Sequence, residues 1–169
     1  VTDSKKLTFG RREELYPQIL KVCECGVRKI SARELNERMG RESLNLIEAL
    51  EMGKLAKGLE GKLHIDLPER NAEGFIRKAG LWGGDVVAEH KADAKYPIVG
   101  AASIVAKVER DREILKLKED AGEIGSGYPS DERTINALKD PETRKKLEGQ
   151  IRTRWSTMER ILNPTLLDF

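Results

Sequence analysis

The chain has 169 residues, 38% of them hydrophobic and 36% charged, with a formal net charge of +2. That length and hydrophobic share exclude a disordered chain and supply enough apolar surface for one domain with a real core. A near-balanced charge leaves any nucleic-acid surface to be local, and no apolar run reaches membrane-spanning length, so no membrane contact is expected.

Residues 11–23 are expected to form a helix with Leu15, Ile19, Leu20 and Val22 on a buried face. Cys23 and Cys25 are the only cysteines, too close in sequence for an easy disulfide. They read as reduced thiols of a cytoplasmic protein. Residues 27–30 read as a short strand. A helix over 43–59 follows from the spacing of Leu44, Ile47, Leu50 and Leu55, with Gly61 just past its end. Residues 63–66 form a strand in which His64 is structural. Asn71 caps a helix over 71–79 that Gly80 stops, and residues 85–89 return as a strand.

Pro97 suits the first turn of the next helix, because the N–H it lacks would be unpaired there anyway. That helix is expected to reach about residue 119 and to bury Ile98, Ala101, Val105 and Val108. Its alternating charges, Lys107, Glu109, Arg110, Asp111, Arg112, Glu113 and Lys116, read as a solvated face. Residues 122–129 form a glycine-rich loop, and Ser130 or Asp131 caps a helix through residue 139. Pro141 opens a last helix to about residue 155. The basic residues Arg144, Lys145, Lys146, Arg152, Arg154 and Arg160 either touch a nucleic-acid backbone or are solvated.

The alternation of strand and helix gives an α/β fold. Residues 63–89 make a β-α-β crossover of ordinary length, so its strands run parallel through a right-handed connection. Asp66 ends the first strand and Asp93 follows the second. Parallel strands end at one edge, and neighbours lie about 4.8 Å apart. The two carboxylates can therefore share a hard divalent cation such as Mg2+ or Mn2+. On pattern alone, such acids are more often caps or surface charges. Tyr128, in Gly-Ser-Gly-Tyr-Pro, either packs its loop against the body or offers a ring and a hydroxyl to a ribose.

Several ordered blocks carry a resemblance to one family. Asp3-Ser4-Lys5-Lys6-Leu7 precedes Arg11-Arg12-Glu13-Glu14-Leu15, and His90-Lys91-Ala92-Asp93 precedes Ala101-Ala102-Ser103-Ile104-Val105-Ala106-Lys107. Gly125-Ser126-Gly127-Tyr128-Pro129-Ser130-Asp131 and Arg154-Trp155-Ser156-Thr157 follow. In this order they resemble ribonuclease HII, and the GSGYPSD form resembles archaeal members and eukaryotic catalytic subunits. The resemblance implies an α/β, ribonuclease H-like sheet flanked by helices, with C-terminal helices. It also implies that the first strands are missing, because the family's opening Asp-Glu-Ala-Gly-x-Gly segment has no counterpart here. That segment supplies two of the family's four active-site carboxylates, so this chain alone is expected to be inactive.

The resemblance implies an endonuclease that hydrolyses the RNA strand of RNA–DNA hybrids and single ribonucleotides in duplex DNA. It implies a two-metal mechanism with Mg2+ or Mn2+, 3'-hydroxyl and 5'-phosphate products, and a role in ribonucleotide removal. Asp66 and Asp93 become the expected catalytic metal ligands, and Tyr128 the contact to the ribonucleotide. Ser4, Lys5, Lys91, Ser103 and Lys107 become substrate contacts, while His90 either assists leaving-group protonation or is structural. The expected organisation is one domain over 1–160, incomplete at its start, and a tail over 161–169. In that tail Leu166 and Phe169 resemble a sliding-clamp-binding box, although it can also fold back on the domain. A monomer is expected for the intact enzyme. The rival readings are a non-catalytic nucleic-acid or clamp-binding module, and half of a split enzyme.

Overall fold

The computed structural model describes residues 7–163. In chain order its elements are α1 (Phe9–Val22), α2 (Ala32–Arg38), α3 (Leu44–Ala56), β1 (Leu63–Asp66), α4 (Ala72–Lys78) and β2 (Val86–Glu89). There follow α5 (Ala92–Lys95), α6 (Pro97–Ala121), α7 (Glu132–Lys139), α8 (Pro141–Lys146) and α9 (Ser156–Leu162). The chain divides into two units, residues 1–29 with 42–109 and residues 30–41 with 110–169. Among the described residues no helix is long and apolar enough to cross a membrane.

The first unit is organised by β1 and β2, which pair in parallel with Leu63 opposite Val86 and Asp66 opposite Glu89. Leu63 N–H donates to Asp85 O and Leu67 N–H to Glu89 O, which continues the ladder at both ends. Short polar side chains begin the flanking helices. Ser43 Oγ accepts from Leu46 N, and Asn71 Oδ1 from Gly74 N. Such caps satisfy N–H groups that the helix itself leaves without partners. Beneath the strands Ala49, Leu67, Phe75 and Ala79 form a core, with Met52, Ile65 and Ala88 against it. Ile65 and Ala88 are register partners, so one face of the sheet is apolar and the other carries His64, Asp66 and Glu89.

The second unit has its own core of Ala121, Ile124, Leu138, Leu147 and Met158. Residues 97–109 of α6 belong to the first unit and 110–121 to the second. In α6 Val99, Ile104, Val105 and Val108 are buried, whereas Ile98, expected in the buried set, is 56% exposed. At about 100° per residue, Ile104, Val105 and Val108 share one side of α6, and Ile98 lies at its edge.

Three further expectations change. Residues 27–30 form no strand, since no neighbouring ladder is there to receive their backbone. Residues 32–38 are helical instead, and Ser31 Oγ accepts from Glu34 N. Ser-x-x-Glu is the capping-box pattern, so this helix was signalled in the sequence. The stripe expected on α1 is not buried: Leu20 is 45% and Val22 81% exposed. An apolar stripe needs a facing layer, and α1 buries no residue. The last helix is two, α8 and α9. Gly149, at φ 76°, lies in the left-handed region that a continuing helix cannot use.

Gly53 lies inside α3, where alanine would favour the helix by about 1 kcal/mol. A Cβ there would stand 2.0 Å from Ala79 O, at the end of α4. The close approach of the two helices therefore requires a hydrogen at this position. Gly53→Ala is expected to destabilise the protein by about 1–3 kcal/mol despite its better helix propensity. Urea unfolding measures this, and an unchanged or raised midpoint contradicts the packing argument.

Candidate active site

The parallel register brings two acids to the carboxyl edge of the sheet, Asp66 from β1 and Glu89 opposite it on β2. Ligands of open α/β sheets commonly bind at this edge. Beyond Glu89 the chain turns sharply through Lys91, whose φ of 58° and ψ of 32° are left-handed. Among the described residues Lys91 is the one non-glycine residue with positive φ. The turn sends Ala92 N–H to Asp66 Oδ1 at 3.0 Å. This hydrogen bond ties the end of β1 to the start of α5 and brings Asp93, the next residue, close behind. Ala92 is fully buried and Asp93 is 3% exposed, whereas Asp66 is half-buried.

Glu89 is engaged from the other side. Tyr96 Oη donates to its Oε1 at 2.9 Å, and Lys95 Nζ to its Oε2 at 2.5 Å. The Lys95 bond first, then the Tyr96 bond, hold the Glu89 carboxyl below its usual range. The Tyr96 ring also lies against His64, with centroids 4.3 Å apart. Glu89 and Tyr96 were not singled out in the sequence. The matching position of Glu89 at the end of the second parallel strand was the available signal.

Of the other expected contacts in this unit, Lys107 Nζ donates to Ser103 Oγ at 2.5 Å. They are four residues apart on α6 and share one face. Lys91 and His90 are exposed. Ser4 and Lys5, like Leu166 and Phe169, lie outside the described residues.

Tyr128 belongs to the second unit and is 41% exposed. Its loop is anchored on the start of α7. Ser126 N–H donates to Asp131 Oδ2 at 2.8 Å, and Gly127 N–H to Thr134 Oγ1 at 2.9 Å. The buried Thr134 hydroxyl donates in turn to Ile124 O. Asp131 also caps α7 through Arg133 N. Of the C-terminal basic run, Arg144 is spent on the carbonyls of Leu138 and Lys139 at the end of α7.

Asp66 and Asp93 together offer hard oxygen donors, which suit Mg2+ or Mn2+ rather than a soft metal. The donor chemistry therefore fits a divalent cation. Among the described residues no group of three or more His, Cys, Asp or Glu is gathered as a metal site.

A family profile described as ribonuclease HII matches residues 1–158. Ribonuclease HII of Archaeoglobus fulgidus is 44% identical over 171 residues, covering 100% of this chain and 83% of the relative. Its counterpart in Thermoplasma volcanium is 45% identical over 165 residues, covering 95% and 77%. Among solved structures, the PCNA:RNase HII complex from Archaeoglobus fulgidus matches with a TM-score of 0.85 at 44% identity, covering 99% of this chain and 82% of that one. The ribonuclease H2 from Pyrococcus horikoshii matches with a TM-score of 0.78 at 40% identity, covering 94% and 78%.

The bond from Arg133, then that from Ser126 N–H, hold the Asp131 carboxyl well below the usual aspartate range. A depressed folded-state pKa stabilises above the unfolded value, about 3.9, and the stabilisation fades as pH falls through the folded value. Asp131→Asn is therefore expected to lower the melting temperature at pH 7. The gap to the parent should narrow below about pH 4, where the unfolded parent takes up its proton. Melting curves across pH 3–7 would expose the error if the gap were constant.

Proposed function

Because this chain belongs to the ribonuclease HII family and is of the archaeal type, we propose that its ribonuclease activity is metal-dependent cleavage of RNA strands in RNA–DNA hybrids and of single ribonucleotides in duplex DNA. The observation that carries this reading is the junction at the sheet edge. Asp66 accepts from Ala92 N–H, so the neighbouring buried Asp93 is tied to the same strand end.

In this reading Asp66 and Asp93 hold Mg2+ or Mn2+. When bound, such ions supply charge neutralisation at the phosphodiester and activation of water. Asp93 is buried in the first turn of α5, which limits reorganisation of its carboxyl during the reaction. Lys91, Ser103 and Lys107, together with Ser4 and Lys5, meet the phosphates and set register. Tyr128 meets the ribose, where its hydroxyl can read the 2'-OH that separates RNA from DNA. The products carry 3'-hydroxyl and 5'-phosphate ends, and the cellular task is ribonucleotide removal in the cytoplasm.

The test is cleavage of a duplex DNA containing one ribonucleotide, in Mg2+ or Mn2+, by this chain and by Asp93→Asn. Where the parent chain cuts, the variant is expected to lose at least about a hundredfold in rate. Equal cutting by both removes Asp93 from the chemistry. If neither cuts, the preferred reading becomes a non-catalytic nucleic-acid-binding module. Cutting restored by an added Asp-Glu-Ala-Gly-x-Gly strand would instead indicate half of a split enzyme.

A second reading concerns the tail, where the relative solved as a complex with PCNA favours clamp binding. Leu166 and Phe169 are three residues apart, as in a short anchor turn. Deleting residues 166–169 is expected to abolish pull-down by a sliding clamp and leave the melting temperature unchanged. Retained pull-down would remove the tail from this role.

A further inference from the structure

We infer that Arg110 is the positioning residue for Tyr128, and that its hold on the ring sets the preference for ribose over deoxyribose. This rests on the reading of Tyr128 given above.

In the sequence Arg110 is one charge among several on a solvated helix face, and the structure gives it a different task. Its side chain is only 33% exposed, and Nη1 donates to Asp111 Oδ1 at 3.1 Å. Nη2 donates to Ser126 O at 3.1 Å. The face of the same guanidinium lies over the Tyr128 ring, with Cζ 3.7 Å from its centroid. A planar guanidinium can bond through its edge while stacking through its face, and an ammonium cannot do both. Arg110 thus holds the backbone two residues before the tyrosine and the ring itself.

The rest of the loop is arranged around that contact. Ser126 and Gly127 are tied by their N–H groups to Asp131 and Thr134. These bonds fix the backbone and leave the ring to Arg110. Gly127, at φ 73°, keeps the loop pressed against α6. A Cβ there would stand 2.7 Å from Ile114 Cδ1 and 3.0 Å from Arg110 Nη2. The tyrosine remains 41% exposed, so the stack leaves part of it open to a ligand.

A mere phosphate contact by Arg110 would behave differently. It would strengthen binding to ribo- and deoxy-duplexes alike, and lysine would largely replace it. A positioning role changes the ratio of the two affinities, and lysine fails to restore it.

The experiment uses the full chain in Ca2+ with two fluorescein-labelled DNA duplexes, identical except that one carries a single ribonucleotide. Anisotropy gives both Kd values for the parent, Arg110→Ala, Arg110→Lys, Tyr128→Ala and the Arg110→Ala/Tyr128→Ala pair. Melting curves check that each variant is folded, and Arg110→Lys is the conservative variant should the alanine fail. Arg110→Ala and Arg110→Lys are each expected to cut the ribo-over-deoxy preference by about fivefold. Binding to the all-DNA duplex should change by less than about twofold, and the paired variant should be no worse than Tyr128→Ala. Preference kept in both Arg110 variants but lost in Tyr128→Ala overturns the inference and leaves the reading of Tyr128 standing. Full rescue by lysine, or equal loss on both duplexes, makes Arg110 a charge contact and also overturns it. No preference in the parent, or none lost in Tyr128→Ala, removes the ribose role of Tyr128 and the inference with it.

Discussion

The hydrogen bond from Ala92 N–H to Asp66 Oδ1 is the constraint on which the candidate site depends. It joins residues from two different elements, and it exists only because β1 and β2 run parallel and in register. A carboxylate accepts at several lone pairs, so one backbone donor orients Asp66 without exhausting it. The same bond helps to hold the turn that buries Asp93. Left-handed backbone costs a non-glycine residue about 1–2 kcal/mol, which Lys91 carries in place of the glycine that would adopt it freely. Burial of Ala92 and its bond to Asp66 offset that cost.

Two four-residue strands are a weak scaffold by themselves. What holds them is the layer beneath, where α3 and α4 close on each other through Gly53 and Ala79. Phe75 is fully buried in that layer, and the transfer of such a side chain from water is worth about 2–3 kcal/mol. The apolar face of the sheet is thus committed to stability. The opposite face, with His64, Asp66 and Glu89, is left for polar contacts. Glu89 satisfies itself with Lys95 and Tyr96, so the two outermost acids of this edge have different surroundings.

The tyrosine loop follows another principle. It has no strand to hold it, and its backbone N–H groups are taken by side chains near the beginning of α7. Asp131 serves both the loop and the helix cap, which couples the order of one to the other. The ionised form of Asp131 makes these bonds strong, as charge-assisted hydrogen bonds exceed neutral ones.

The amino-acid sequence by itself determined the local pieces and the family. The cap at Asn71, a cap at Ser130 or Asp131, the proline opening α6, and the two parallel strands were all legible, because each depends on near neighbours in the chain. The capping box at Ser31 was equally local, and the reading of residues 27–30 as a strand passed over it. Asp66, Asp93 and Tyr128 could be picked out as chemical groups, and the ordered blocks gave them roles to test. Only the tertiary structure decided which side chains pair. The left-handed turn at Lys91 goes with a hydrogen bond spanning 26 residues, and Arg110 is held by a loop sixteen residues away. Such contacts depend on which surfaces meet, and residue order encodes that only through the whole fold.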